Sequence, residues 1–126
     1  MRRSDRVEAP YAYEGLDRMF HEKARLSIVT VLAGHADGLS FTELKSLCGL
    51  TDGNLSRHLQ GLEEADYLEI EKRYEGRRPC TRSRLSALGR VRFLEYLAVL
   101  EKVLREATKA AAGVGVPSEL QPARRR

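Results

Sequence analysis

Tryptophan is absent, and aromatic residues make up only 6% of the chain. The core is therefore expected to consist mostly of Leu, Ile, Val and Ala, a composition that leans toward helices. Cysteine is scarce: Cys48 and Cys80 stand in unrelated contexts, without CxxC spacing. That excludes a disulfide scaffold, and reduced thiols with no metal site are expected. No apolar run approaches the roughly 20 residues of a membrane span, so no membrane partner is expected. The charged start Met1-Arg2-Arg3-Ser4-Asp5-Arg6 is not followed by an apolar signal region, which points to the cytoplasm. Also missing are a glycine-rich phosphate loop, HExxH, GxSxG and a paired acid–base set. Neither an enzyme nor a cofactor is expected.

What is present fits one small domain. The 126 residues are 42% apolar, enough for a single core. A chain this short is marginal on its own, which leaves room for dimerisation to add burial. The net charge of +4 is unevenly placed. Residues 11–66 carry five basic and nine acidic side chains, whereas residues 67–84 carry six basic and three acidic. Positive charge is thus concentrated in one short segment, which suits nucleic acid but also a plain solvated face.

Residues 1–15, with Pro10, Gly15 and mixed charge, read as a loosely ordered arm. Phe20, Ala24, Ile28 and Leu32 recur at spacing four, predicting a helix from about Leu16 to Ala33 that stops at Gly34. Ser40-Phe41-Thr42-Glu43 is a capping box that opens a second helix. Leu44 and Leu47 face one way along it, and Gly49 ends it. Thr51 is an N-cap and Asp52 favours the positive start of a third helix, running to about Ala65 with Leu55, Leu59 and Leu62 buried. Two short helices so closely spaced make a helix-turn-helix. From Tyr67 to Tyr74 the period changes, with Leu68 and Ile70 alternating with Glu69 and Glu71 as in a strand. Glu75-Gly76-Arg77-Arg78-Pro79 is turn chemistry, and Cys80 to Leu85 is the returning strand. Ser86 caps a long final helix, about Ala87 to Ala111, and residues 112–126 read as a disordered basic tail. The fold class is mainly α with a small β-hairpin wing (α+β): a winged helix-turn-helix with a long C-terminal dimerisation helix, spanning residues 16–111.

With its leucines turned inward, the third helix presents Asn54, Ser56, Arg57 and Gln60 to solvent, with Thr51 at its start. Asn, Arg and Gln carry paired donors and acceptors that match base edges in the major groove, while Ser and Thr suit bases or phosphates. His58, close to Leu55 and Leu59, is read as packing or as touching phosphate. Arg77 and Arg78 sit at the turn, where arginine can enter the minor groove or clamp its phosphates. Lys72, Arg73, Arg82 and Arg84 extend the basic surface, the last two on the face opposite Leu85. On the final helix Val91, Leu94, Leu97, Ala98, Val103 and Leu104 are candidate dimer contacts, because the apolar stripe is wider than one small domain needs.

The run "LTDGNLSRHLQGLEEADYLEIEKRYEGRRPCTRSRLSALGR", preceded by "FHEKARLSIVTVL", resembles winged-helix transcription regulators related to the MarR and ArsR families over about residues 16–109. The resemblance implies a homodimeric regulator of double-stranded DNA, with its recognition helix beginning near Thr51 and its wing tip at Gly76 to Pro79. It implies a repressor on a near-palindromic operator, with activation left open. Relatives often carry an aromatic where this chain has Ser83, which puts wing packing here in question. An ArsR-type metal sensor is the first alternative, but the helix "FTELKSLCGL" offers only Cys48, where soft-metal sites need three or four ligands. A redox switch at Cys48, or a winged helix used for protein or RNA contact, are further alternatives. No small-molecule effector is legible.

Overall fold

Caps and turns decide where each element begins. The structure is a computed structural model that describes residues 9–115 and 117–120. It comprises α1 (Lys23–Ala33), β1 (Leu39–Ser40), α2 (Phe41–Cys48), α3 (Asp52–Glu64), β2 (Leu68–Glu75), β3 (Arg78–Leu85) and α4 (Ala87–Val114), then a 3-10 turn at Ser118–Leu120. Three of the four helices have hydroxyl caps. Ser40 and Glu43 form the reciprocal capping box on α2, Thr51 accepts from the Asn54 amide, and Ser86 accepts from the Gly89 amide.

The first helix is shorter than its periodicity predicts. It begins at Lys23 rather than Leu16, because the Glu22 side chain caps it by accepting from the Arg25 amide. Upstream, the Asp17 carboxylate takes the Met19 amide and its carbonyl takes those of Phe20 and His21, so the chain turns instead of coiling. Phe20 is still fully buried, but from a turn. The arm is not loose over its described part. Tyr13 donates to Glu106 on α4 at 2.6 Å, and Gly15 lies flat against Val99. Residues 1–8 of the expected arm, and 116 and 121–126 of the expected tail, lie outside the described residues. Residues 112–114 continue α4 instead of joining the tail.

Between α2 and α3, Gly49 adopts a left-handed backbone with φ 65° and returns its amide to the Lys45 carbonyl. A side chain would be strained there, so this glycine sets the angle between the two helices. Leu44 is fully buried, but Leu47 is 60% exposed, contrary to the expectation that both face inward. Only one side of this two-turn helix is covered, and Leu47 falls at the edge of that side.

The sheet has the order β1-β3-β2 and is antiparallel throughout. The two-residue β1 strand was not foreseen; it pairs Leu39 with Ser83 and Ser40 with Arg82. Ser83 is buried between Leu39 and Ile70 in this register, so the wing's base packs over the small side chain.

One core joins all these elements. Ile28, Val29 and Leu32 of α1 meet Leu44, then Leu55, Leu59 and Leu62 of α3, with Leu68 and Leu85 closing the sheet side. The aliphatic expectation misses one feature: Phe20, Tyr67, Phe93 and Tyr96 form an aromatic cluster that anchors α4. Phe20 stacks on Tyr67 at 4.9 Å and meets Phe93 edge-on at 5.3 Å. Gly89, Phe93 and Tyr96 are the buried residues of α4. The apolar stripe expected there therefore lies on another side: Val91, Leu94 and Leu104 are 50%, 60% and 58% exposed.

Gly89 brings the start of α4 onto the backbone of Tyr67, and a Cβ at that position would collide with the Tyr67 carbonyl. Gly89→Ala is therefore expected to destabilise the fold by about 1–3 kcal/mol, read as a lower urea midpoint. An unchanged midpoint would show that the helix can slide off the carbonyl.

Candidate nucleic-acid interface

The inward turn of Leu55, Leu59 and Leu62 places the remaining sides of α3 in solvent. Thr51, Asn54, Ser56, Arg57 and Gln60 are all exposed, as the heptad-like spacing predicts. Two of them are pre-oriented. Arg57 donates to the Asn54 side-chain Oδ1 at 2.9 Å, and Gln60 Nε2 donates to Glu64 at 3.3 Å, which leaves the Gln60 side-chain oxygen free to accept. Thr51 is already engaged as the cap, accepting from Asn54 at 3.2 Å. Asp52 is held by Lys45 at 2.7 Å, which blunts the carboxylate that stands nearest the helix start.

His58 does not belong to this surface. It is 7% exposed and faces α1, where the Arg25 guanidinium lies 3.3 Å from its Nδ1. A phosphate cannot reach it, because position 58 falls on the flank of the leucine seam. Burial holds the imidazole below its usual pKa of 6.5; nearby Glu22 opposes that shift, while Arg57 and Arg25 reinforce it.

The wing is a two-stranded ribbon closed by Gly76-Arg77 between the paired residues Glu75 and Arg78. Gly76 has φ 67°, the conformation that the first central residue of a tight hairpin turn needs. The tip is thus Gly76-Arg77. Arg78 and Pro79, expected in the turn, instead begin β3, because the ladder extends to its last possible pair.

Pairing also divides the basic residues by face. Arg73, Arg78, Arg82 and Arg84 share the outer face with Glu69, Glu71 and Glu75, and Lys72 lies on the inner one. Arg84 bonds Glu69 at 3.1 Å, Arg73 bonds Glu71 at 3.0 Å, and Arg82 donates to the Asp37 carbonyl at 3.2 Å. The Arg73 guanidinium holds the Glu71 carboxyl below its ordinary range. Among the described residues, Lys72, Arg77 and Arg78 have side chains with no ion pair or hydrogen bond. Carboxylates therefore offset only Arg73 and Arg84, while Arg82 is tethered by a neutral carbonyl and Lys72, Arg77 and Arg78 are unengaged.

A cleft of about 520 Å³ separates the wing from the start of α2, bounded by Phe41 and Thr42 on one side and Lys72, Tyr74 and Thr81 on the other. It escaped the sequence reading because it exists only through the β1–β3 pairing. Among the described residues, no three His, Cys, Asp or Glu side chains converge as a metal site would require. Cys48 is half-buried, and burial pushes its thiol pKa up, away from the reactive thiolate.

A recognition helix with an arginine-tipped ribbon beside it defines a winged-helix DNA-binding protein. The winged helix DNA-binding domain model matches residues 24–104, and the chain belongs to that family. An uncharacterized protein of Methanocaldococcus jannaschii is 35% identical over 80 residues, which cover 64% of this chain and 86% of that protein. Three solved structures share the fold. A transcriptional regulator homologue from Pyrococcus horikoshii is 21% identical with a TM-score of 0.65, over 82% of this chain and 97% of its own. MepR of Staphylococcus aureus, solved as a DNA complex, is 16% identical with a TM-score of 0.63, over 94% and 95%. The Mycobacterium tuberculosis regulator MosR, also solved with DNA, is 19% identical with a TM-score of 0.60, over 86% and 77%. The shared fold is the winged helix that the sequence resemblance implies. No helix among the described residues is long and apolar enough to cross a membrane.

Because the folded pKa of His58 lies below that of the unfolded chain, the unfolded chain takes up the proton first as pH falls. The stability carried by the neutral ring is complete above pH 6.5 and declines below it. His58→Asn is expected to flatten the loss of urea stability between about pH 7 and about pH 5. An identical slope in the variant would remove His58 as its source.

Proposed function

We propose that this chain is a sequence-specific regulator of transcription that binds duplex DNA as a homodimer and represses by occluding a promoter. The observation that carries the reading is the exposed row Asn54, Arg57 and Gln60 on a helix whose leucines are buried, in a chain whose wing tip carries the unpaired Arg77. Paired donors and acceptors on α3 suit base edges, and an unpaired arginine on a narrow ribbon suits the minor groove. The DNA complexes known for two proteins of the same fold support this assignment. In this reading the chain acts by binding rather than catalysis, and it works where the DNA is.

Homodimerisation is supported by α4. Val91, Leu94, Leu97, Ala98 and Leu104 of α4 are exposed and Val103 is half-buried, apolar area that a lone chain leaves partly in water. A twofold pair would set two α3 helices in successive major grooves, about one helical turn apart, on an imperfect palindrome.

Arg57→Ala or Gln60→Ala is expected to lose discrimination between the preferred duplex and random duplex, at roughly 1–3 kcal/mol. Arg77→Ala should instead weaken all duplexes alike and lower the salt slope by about one, as loss of one phosphate contact does. Gel-shift titrations at several salt concentrations separate these; identical behaviour of the two classes, or a preference for RNA, would overturn the division. Leu94→Glu should convert the dimer to a monomer in sedimentation velocity, and a parent chain that is already monomeric at micromolar concentration would end the homodimer reading.

A further inference from the structure

One guanidinium joins three parts of the molecule. Arg25, in the first turn of α1, donates from Nε to the Met19 carbonyl at 2.7 Å and from Nη2 to the Arg18 carbonyl at 3.5 Å. Its Nη1 lies 3.3 Å from His58 Nδ1, inside the recognition helix's buried flank. The segment that Arg25 grips, residues 13–21, is itself bound to α4: Tyr13 donates to Glu106 at 2.6 Å, and the Tyr96 hydroxyl meets His21 Nδ1 at 2.6 Å. Asp17 of the same segment accepts from Tyr67, just after α3, at 2.8 Å. Hydrogen bonds thus connect α4 to the strap, and the strap's backbone carbonyls to Arg25, with Arg25 and His58 as the last link to α3.

The chemistry of that link is restrictive. A guanidinium only donates, so Nδ1 must accept, and an imidazolium has two donors and no acceptor. The contact exists only while the ring is neutral. The charged groups around His58 are Arg25 and Glu22 from α1 and Arg57 from α3 itself. Protonation would set a third cation beside Arg25 and Arg57 in a site with little solvent, with Glu22 alone to offset it. Glu22 is already occupied as the α1 cap.

We propose that Arg25 is a positioning residue for DNA recognition: through neutral His58 it sets the orientation of α3, and acid releases α3 by opening this contact. The proposal rests on the DNA-binding reading above. His58 touches no duplex and acts only through the helix that carries Asn54, Arg57 and Gln60. Non-specific attraction to phosphates has the opposite tendency, since added positive charge strengthens it. The ratio of specific to non-specific affinity is therefore the quantity the latch controls.

The test uses the full chain and a duplex that it selects from a random pool, with random duplex as the competitor, at about pH 7.5 and about pH 5.5. For the parent, the specificity ratio should fall on acidification by on the order of tenfold, the usual size of a coupling between two sites. Arg25→Ala should show the low ratio already at the higher pH and little further change. His58→Asn keeps an acceptor near the Nδ1 position and cannot take up a proton, so it should hold the parent's high ratio at both pH values. His58→Leu, without an acceptor, should resemble Arg25→Ala. His35→Asn, on an exposed histidine that serves only the α1 end, should titrate like the parent. Circular dichroism melts at both pH values confirm that the compared proteins are folded; if Arg25→Ala does not fold, the contrast between the Asn and Leu variants at His58 decides. A parent ratio that does not change with pH, or one that changes equally in His58→Asn, overturns the latch. If Arg57→Ala and Arg77→Ala also bind as the parent does, the DNA-binding reading falls instead.

Discussion

The burial of Leu55, Leu59 and Leu62 is the constraint on which the functional surface depends. These side chains recur at helical spacing, so bringing them into the core decides which side of α3 faces solvent. Asn54, Arg57 and Gln60 face outward because the leucines do not. Each fully buried leucine contributes about 1.5–3 kcal/mol relative to exposure. That is far more than the hydrogen bonds among the exposed polar groups return in water. Apolar packing therefore directs the polar chemistry.

The long helix α4 serves two partners at once. Phe93 and Tyr96 face the core, and the aromatic cluster they form with Phe20 and Tyr67 holds the helix to the rest of the domain. Val91, Leu94, Leu97 and Leu104, elsewhere on the helix, are apolar but uncovered within one chain. The strap of residues 13–21 crosses the helix between these uses, bonded at Tyr96 and Glu106. Any shift of α4 therefore has a physical route to the recognition helix.

Much of this was legible in the residues. The capping box at Ser40 and Glu43, the Thr51 cap, the alternation from Leu68 and the turn glycine at Gly76 all name their structures correctly. Each is a contact between residues a few positions apart. The failures have a common source. The run from Leu16 has helical spacing, but Asp17 and Glu22 divert its amides and start the helix later. His58 is indistinguishable by spacing from an exposed polar neighbour until α1 is placed across it. Six basic residues in the wing look alike in sequence, yet Glu69, Glu71 and the Asp37 carbonyl occupy three of them.

The sequence by itself determined the helices, the hairpin and the polar side of α3, because caps, turns and hydrophobic period act over one or two turns of chain. Tertiary structure alone decided which wing cations remain unpaired, that Leu47 stays in water, and that Arg25 meets His58 across α1 and α3. The decisive contacts, Arg84 with Glu69, Arg25 with His58 and Arg82 with the Asp37 carbonyl, join groups 15, 33 and 45 positions apart. Long-range proximity of this kind exists only once the core has closed.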